Sequence, residues 1–162
     1  MEEHDFRSSR HYLVDNHVAG RGVRAPRVLE AIRWVPREAF VPEPLREFTY
    51  EDTALAGANG STIAHIAQPR VVALMVQALG LQGGEKVLEI GTGPGDTTAV
   101  LARIAHQVFG VEPDTRLAAK ATASLGGAGC ARRRTGDSRS KQTHFRAGNC
   151  AAMDYVSCSP AA

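Results

Sequence analysis

The sequence predicts an α/β fold built around one parallel β-α-β unit. Three observations indicate this: an apolar segment ending at Ile90 runs into a glycine-rich turn, the next residues have helical character, and a second apolar segment ends just before Glu112. In the turn, Gly91 and Gly93 can adopt backbone angles that other residues resist, and they allow a ligand to approach the main chain. This order of strand, turn, helix, strand and acid is typical of a Rossmann-like cofactor-binding unit.

The residues before this unit are expected to be largely helical. A short helix is predicted over residues 12–19, and Pro26 suits the first turn of a second helix that ends at Pro36. Residues 50–67 form a long loop, and loops of this length are often functional. Pro69 then opens a third helix. Its expected apolar face comprises Val71, Val72, Met75 and Leu79.

The residues after Glu112 change in character. A helix is expected over 117–125, but residues 121–162 contain only three residues of the types Leu, Ile, Val and Phe. So few large apolar side chains cannot supply buried parallel strands. The sequence therefore predicts a helical, substrate-side region over 1–80, a cofactor-binding unit over 81–125, and a divergent, poorly ordered tail with exposed cysteines over 126–162.

Composition and charge argue against several classes of function. The chain of 162 residues has a formal net charge of +2, which is too small to indicate nucleic-acid binding. No apolar run approaches the length of a membrane span and the first residues do not read as a signal peptide, so we expect a cytoplasmic protein. The spacing of the three cysteines matches no zinc pattern, and no metal is expected.

The turn also indicates the kind of cofactor. Asp96 stands where a dinucleotide fingerprint has its last glycine, beside a helix N-terminus that would otherwise hold a pyrophosphate. Glu112 lies 21 positions after Gly91, about the spacing at which an acid binds ribose hydroxyls. A cofactor with a ribose and an adenine but no phosphate therefore fits better than NAD. S-adenosylmethionine is such a cofactor.

Several segments together resemble the protein-L-isoaspartate O-methyltransferase family. They follow one another in the family's order over residues 11–125, and the combination is specific. These segments are LVDNHVAGRG (13–22), PRVLEAIRWVPREAFV (26–41), YED (50–52), QPRVVALM (68–75) and VLEIGTGPG (87–95).

The resemblance implies a Rossmann-like, S-adenosylmethionine-dependent methyltransferase fold with an N-terminal helical extension. It also implies a cytoplasmic repair enzyme that methylates the carboxylate exposed by isoaspartyl residues in damaged proteins. The partners would be such proteins or peptides, without nucleic acid or membrane, in an oligomeric state that the resemblance leaves open. Carried over by motif, the cofactor-binding residues are Glu89, Gly91, Thr92, Gly93, Gly95, Glu112 and, from a degraded Gly-Asp-Gly segment, Asp137.

The chain departs from the family's pattern in three places. A serine linked to activity precedes the third helix in the family, but here its position holds Ala64 or Ala67, and Thr62 is a substitute candidate. Asp96 replaces an aromatic residue that the family often has. The later strands are not recognisable after about residue 125, so the chain is expected to be truncated or divergent there and its sheet incomplete at the C-terminal end.

The implied reaction depends on positioning more than on acid-base chemistry. An isoaspartyl carboxylate, with a pKa near ~3.9, is already an ionised nucleophile at neutral pH. The protein has to align it with the methyl donor and exclude water. Two other interpretations stay open: a methyltransferase with a dedicated peptide substrate, favoured by the altered segment 60–67, and a non-catalytic truncated fragment, favoured by the tail. Because of the tail, we expect weak or absent methyl transfer.

Overall fold

The computed structural model describes residues 5–56, 65–132, 151–152 and 156–157, with side chains for 5–55 and 66–130. Its α-helices are α1 (Phe6–Leu13), α2 (Pro26–Trp34), α3 (Pro69–Ala78), α4 (Asp96–Ile104) and α5 (Thr115–Gly127). Its strands are β1 (Leu55–Ala56), β2 (His65–Ile66), β3 (Lys86–Ile90), β4 (Gln107–Glu112), β5 (Ala131–Arg132), β6 (Ala151–Ala152) and β7 (Val156–Ser157). Shorter helical turns are a π-helical turn at Val14–Val18 and 3₁₀ turns at Ala19–Arg21, Arg37–Ala39 and Glu43–Phe48.

The first two helices begin where local chemistry favours a helix start. α1 begins at Phe6, earlier than the predicted residue 12, because the carboxylate of Asp5 accepts hydrogen bonds from the N–H groups of Arg7 and Ser8. α2 begins at Pro26 as predicted. It ends at Trp34 because the residue before Pro36 is extended.

The apolar face predicted for α3 is wrong for three of its four residues. Val72 is buried, together with Pro69, Ala73 and Val76. Val71, Met75 and Leu79 are instead 39%, 51% and 55% exposed. The helix carries apolar residues on almost every side, so periodicity alone does not single out the buried face.

The predicted β-α-β unit is confirmed. β3 and β4 are neighbouring parallel strands, paired from Lys86 with Gln107 to Ile90 with Val111, and α4 connects them. This arrangement brings the residues that follow both strands to the same edge of the sheet. One buried cluster joins this unit to the N-terminal helices, with Leu13 and Phe40 completely buried.

The remaining strands are short and antiparallel. β6 and β7 pair with β4, and β5 pairs with β7. Within the described part of the chain, β3 has a strand neighbour on one side only, and Leu88 and Ile90 on it are 51% and 75% exposed. The expected exposure of the cysteines is wrong for Cys130, which is 3% exposed because it packs in the core, whereas Cys150 and Cys158 lie outside the described residues. None of the helices described is long and apolar enough to cross a membrane.

Candidate cofactor and acceptor site

The glycine turn between β3 and α4 has a backbone that only glycine adopts readily. Gly91, Gly93 and Gly95 have φ angles of 80°, 54° and 97°. A Cβ atom added to Gly91 or Gly93 would meet no atom within 4 Å, so the space beside both residues is open. A Cβ on Gly95 would lie 3.2 Å from the Cβ of Ala121. Two of the three glycines therefore leave room for a ligand, and the third allows α5 to pack closely.

Glu112, at the end of β4, holds this turn in place. Its Oε2 accepts a hydrogen bond of 2.8 Å from the N–H of Gly93, and its Oε1 accepts one of 3.0 Å from Asp114. The side chain is 5% exposed, and it is not among the residues that line the adjacent groove. Glu112 thus stabilises the shape of the turn from a buried position that does not line the groove. The ribose contact expected of it stays a prediction.

Glu89, on β3, faces the start of α4. The hydroxyl of Thr98 donates a hydrogen bond to its carboxylate. The pKa of Glu89 is raised to about 7, mainly by burial; the hydrogen bond from Thr98 opposes this shift, and the nearby Asp96 adds to it. The side chain therefore changes charge near neutral pH, directly beside the turn.

A groove of about 390 Å³ is lined by the turn and by residues of β3. This volume lies within the range of small-molecule sites, roughly 300–1,000 Å³. Its lining includes Ala67 and Met75, which we call the acceptor wall, and Gly91, Thr92 and Gly93, which we call the donor wall.

Asp96 also belongs to the donor wall, and both it and Thr92 are largely buried. Thr92 is 3% exposed, and its carbonyl accepts a hydrogen bond of 3.0 Å from the N–H of Gly95. Asp96 is 6% exposed and forms an ion pair of 2.8 Å with Arg37. Burial raises the pKa of Asp96, and the charge of Arg37 opposes this shift.

The charges around the groove agree with a cationic ligand that carries no phosphate. Glu89 and Asp96 are the titratable residues among those described as lining it, and no Lys or Arg lines it there. The charge of Asp96 is balanced by Arg37, so ionised Glu89 would attract a sulfonium or ammonium group, and a pyrophosphate would find no described cation on the lining to bind it. The open backbone at Gly91 and Gly93 supplies the close approach that such a ligand needs. These residues therefore fit S-adenosylmethionine.

The structure brings together most, but not all, of the site residues expected from the sequence. The same groove is lined by Glu89, Gly91, Thr92, Gly93 and Ala67. Asp137, Thr62 and Ala64 lie outside the described residues. Among the residues described, no group of three or more His, Cys, Asp or Glu side chains is placed to hold a metal ion.

Sequence reasoning missed Arg37 and treated Asp96 only as a departure from a pattern. Arg37 is 8% exposed although it follows a proline in a segment that reads as a connection. The available signal was weak: a charged residue between the apolar residues Val35 and Phe40, and an unexplained acid 59 positions later. Only the tertiary contact shows that the two belong together.

Comparison with known proteins identifies relatives of this chain. The family model described as protein-L-isoaspartate(D-aspartate) O-methyltransferase matches residues 8–148. Protein-L-isoaspartate O-methyltransferase 1 of Rhodopseudomonas palustris (strain HaA2) is 48% identical over 124 residues, which are 76% of this chain and 49% of that protein. A protein-L-isoaspartate O-methyltransferase of Rhodopseudomonas palustris (strain ATCC BAA-98 / CGA009) is 51% identical over 113 residues, 70% of this chain and 50% of the relative.

Two solved structures have a similar fold. One, titled protein-L-isoaspartate O-methyltransferase, has a TM-score of 0.64 and 28% identity, covering 76% of this chain and 39% of the other. The second is a putative protein-L-isoaspartate O-methyltransferase from Plasmodium falciparum in complex with S-adenosyl-L-homocysteine, with a TM-score of 0.61 and 21% identity, covering 74% and 56%. The chain spans about half the length of the curated relatives it matches.

Proposed function

We propose that this chain, which belongs to the protein-L-isoaspartate(D-aspartate) O-methyltransferase family, binds S-adenosylmethionine in the groove and methylates carboxylates of isoaspartyl residues in damaged proteins or peptides. One observation carries the proposal: the backbone at Gly91 and Gly93 is open to a ligand in a groove whose described titratable groups are both acids. The relatives' names supply the substrate class. The cytoplasmic location expected from the sequence is part of the same proposal.

The chain's residues have separate tasks in cofactor binding. Bound S-adenosylmethionine supplies a methyl group that is already activated on a sulfonium sulfur. Gly91 and Gly93 admit the ligand to the main chain, and Glu112 keeps the turn in shape. Glu89, whose pKa is about 7, supplies negative charge to the groove in its ionised form, whereas the charge of Asp96 is balanced by Arg37. Gly95 acts indirectly, because the absence of a side chain allows α5 to pack closely against it.

The acceptor needs orientation rather than activation. An isoaspartyl carboxylate is ionised at neutral pH, so the chain need not supply a general base. The acceptor wall contains Ala67 and Met75, and the apolar side chain of Met75 helps to exclude water. Alanine offers no hydroxyl to orient a carboxylate, and slow transfer is therefore expected.

A thermal-shift titration of the full chain tests cofactor binding. A ligand that binds only the folded state raises the unfolding midpoint with its concentration, so S-adenosylmethionine and S-adenosylhomocysteine should both raise it. ATP is the matched control, since it shares the adenosine group but carries a triphosphate, for which the described lining of the groove offers no Lys or Arg. No shift with either sulfur ligand at millimolar concentration would refute the proposal.

A methyl-transfer assay tests the acceptor. Radiolabelled S-adenosylmethionine is supplied with an isoaspartyl peptide, and the same peptide with a normal aspartyl linkage is the control. Label should enter the isoaspartyl peptide alone. Label in the normal peptide, or in neither peptide although the cofactor binds, would contradict the proposed substrate. Comparison of several unrelated isoaspartyl peptides separates a general repair activity from one dedicated to a single peptide.

A further inference from the structure

The guanidinium of Arg37 is buried, and each of its three nitrogens donates a hydrogen bond to a different segment. Nε donates to the carbonyl of Thr49 at 3.1 Å, and Nη2 donates to the carbonyl of Ala67 at 2.8 Å. Nη1 donates to Oδ2 of Asp96 at 2.8 Å. The planar, rigid fork of arginine makes such a three-way contact possible.

Two of these partners belong to residues that line the groove, one in each of the two walls. Ala67 stands two residues before α3 on the acceptor wall. Asp96 is the first residue of α4, directly after Gly95, on the donor wall. Because one guanidinium bonds to both, movement of the acceptor wall relative to the glycine turn has to break at least one of its hydrogen bonds.

Stability alone does not account for this ion pair. Removing two charges from water costs about as much as their attraction returns, and apolar residues of similar volume often serve equally well. Arg37 also lines a small cavity together with apolar side chains such as Leu13 and Val100. Arg37 forms hydrogen bonds to both walls, and an apolar side chain in its place could not form them.

We propose that Arg37 is a positioning residue: it holds the acceptor wall at a fixed place relative to the donor wall, and Asp96 anchors it. This rests on the proposed function, because the two walls matter only if methyl donor and acceptor meet between them. Arg37 is not among the residues lining the groove, so it acts through Ala67 and Asp96.

Two variants of different severity test this link in the ligand-free full chain. Arg37→Lys keeps the charge but replaces the planar fork with a point donor. Asp96→Asn keeps the volume and one acceptor oxygen but removes the charge. The matched control is Arg33→Lys, which alters the ion pair between Arg33 and Asp15 on the outside of the helical region.

Amide hydrogen exchange is the first measurement, made well below the unfolding midpoint of each variant. Arg37→Lys should accelerate exchange at residues 66–68 and at residues 91–95 together, whereas Arg33→Lys should accelerate neither. Asp96→Asn should do the same with a smaller increase. Faster exchange at only one wall, or at neither, would overturn the proposal, because the guanidinium would then not couple them.

Calorimetric titration with S-adenosylmethionine is the second measurement, and it separates this inference from the proposed function. The parent chain should bind; failure to bind would refute the proposed function itself. If the parent chain binds, Arg37→Lys should weaken the affinity about tenfold, the size expected for loss of one charged hydrogen bond. If both variants show faster exchange at both walls but bind the cofactor and transfer methyl groups like the parent chain, the positioning role is refuted and the proposed function still stands.

Discussion

The backbone N–H of Gly93 lies 2.8 Å from Oε2 of Glu112, so the last residue of β4 holds the turn that follows β3. The other oxygen of the same carboxylate accepts the N–H of Asp114. One buried side chain therefore connects the ends of two neighbouring parallel strands. It sets the shape of the turn before any ligand binds.

Replacing Glu112 by Gln should loosen the turn. A glutamine side chain has one acceptor oxygen and an NH₂ group that cannot accept from an N–H donor, so one of the two hydrogen bonds is lost. We expect S-adenosylmethionine affinity to fall about tenfold and the free energy of unfolding to fall by roughly 1–3 kcal/mol. Calorimetry and urea unfolding measure the two effects, with the exposed Glu47→Gln as control. Equal affinity in parent and variant would show that the turn keeps its shape without this carboxylate.

Gly93→Val should abolish cofactor binding because its side chain fills the groove, and Gly80→Val is the control for backbone strain. Gly80 has a φ of 61°, close to the 54° of Gly93, and neither would meet an atom within 4 Å at its Cβ position. Gly80→Val and Gly93→Val therefore add similar backbone strain, but only Gly93→Val places a side chain in the groove. The two variants should lose similar stability in urea, and only Gly93→Val should lose affinity in calorimetry. Comparable binding by both would place the ligand elsewhere.

The parts of this structure that the sequence could predict depend on local patterns. The strand, glycine turn, helix and second strand between Lys86 and Glu112 follow from residues that are close in sequence. The separate roles of the three glycines do not, because Gly95 is distinguished from Gly91 and Gly93 only by α5 packing against it. The ion pair of Arg37 and Asp96 joins residues 59 positions apart, and no local pattern encodes it.

Glu89 should make stability depend on pH. Its pKa is raised from 4.5 to about 7, mainly by burial, so the folded state holds a proton that the unfolded state releases between these values. The protonated carboxyl is therefore favourable for folding at low pH, and this advantage disappears as the pH rises through 7. Relative to Glu89→Gln, the parent chain should lose up to about 3 kcal/mol of unfolding free energy between roughly pH 4.5 and 8. Urea unfolding across this range measures the difference, and a constant difference would mean that Glu89 is not shifted.

Ala67→Ser should increase methyl transfer. Ala67 lies on the acceptor wall, at one of the two positions where the family pattern has a serine linked to activity. A hydroxyl there can donate a hydrogen bond to the incoming carboxylate, and a bond to a charged group contributes about 1.5–3 kcal/mol. We expect kcat/KM for an isoaspartyl peptide to rise about 10- to 100-fold, with little change in affinity for S-adenosylmethionine.

The control for this gain of function is Ala78→Ser, which adds the same hydroxyl to an exposed position at the end of α3 that is not among the residues lining the groove. It should leave the transfer rate unchanged. Because the carbonyl of Ala67 is fixed by Arg37, the new hydroxyl should lose its effect when Ala67→Ser is combined with Arg37→Lys. A rate that does not rise with Ala67→Ser, in a chain that binds the cofactor, would assign the serine position to Ala64 instead. A rise that survives Arg37→Lys would show that the acceptor wall is held by other contacts.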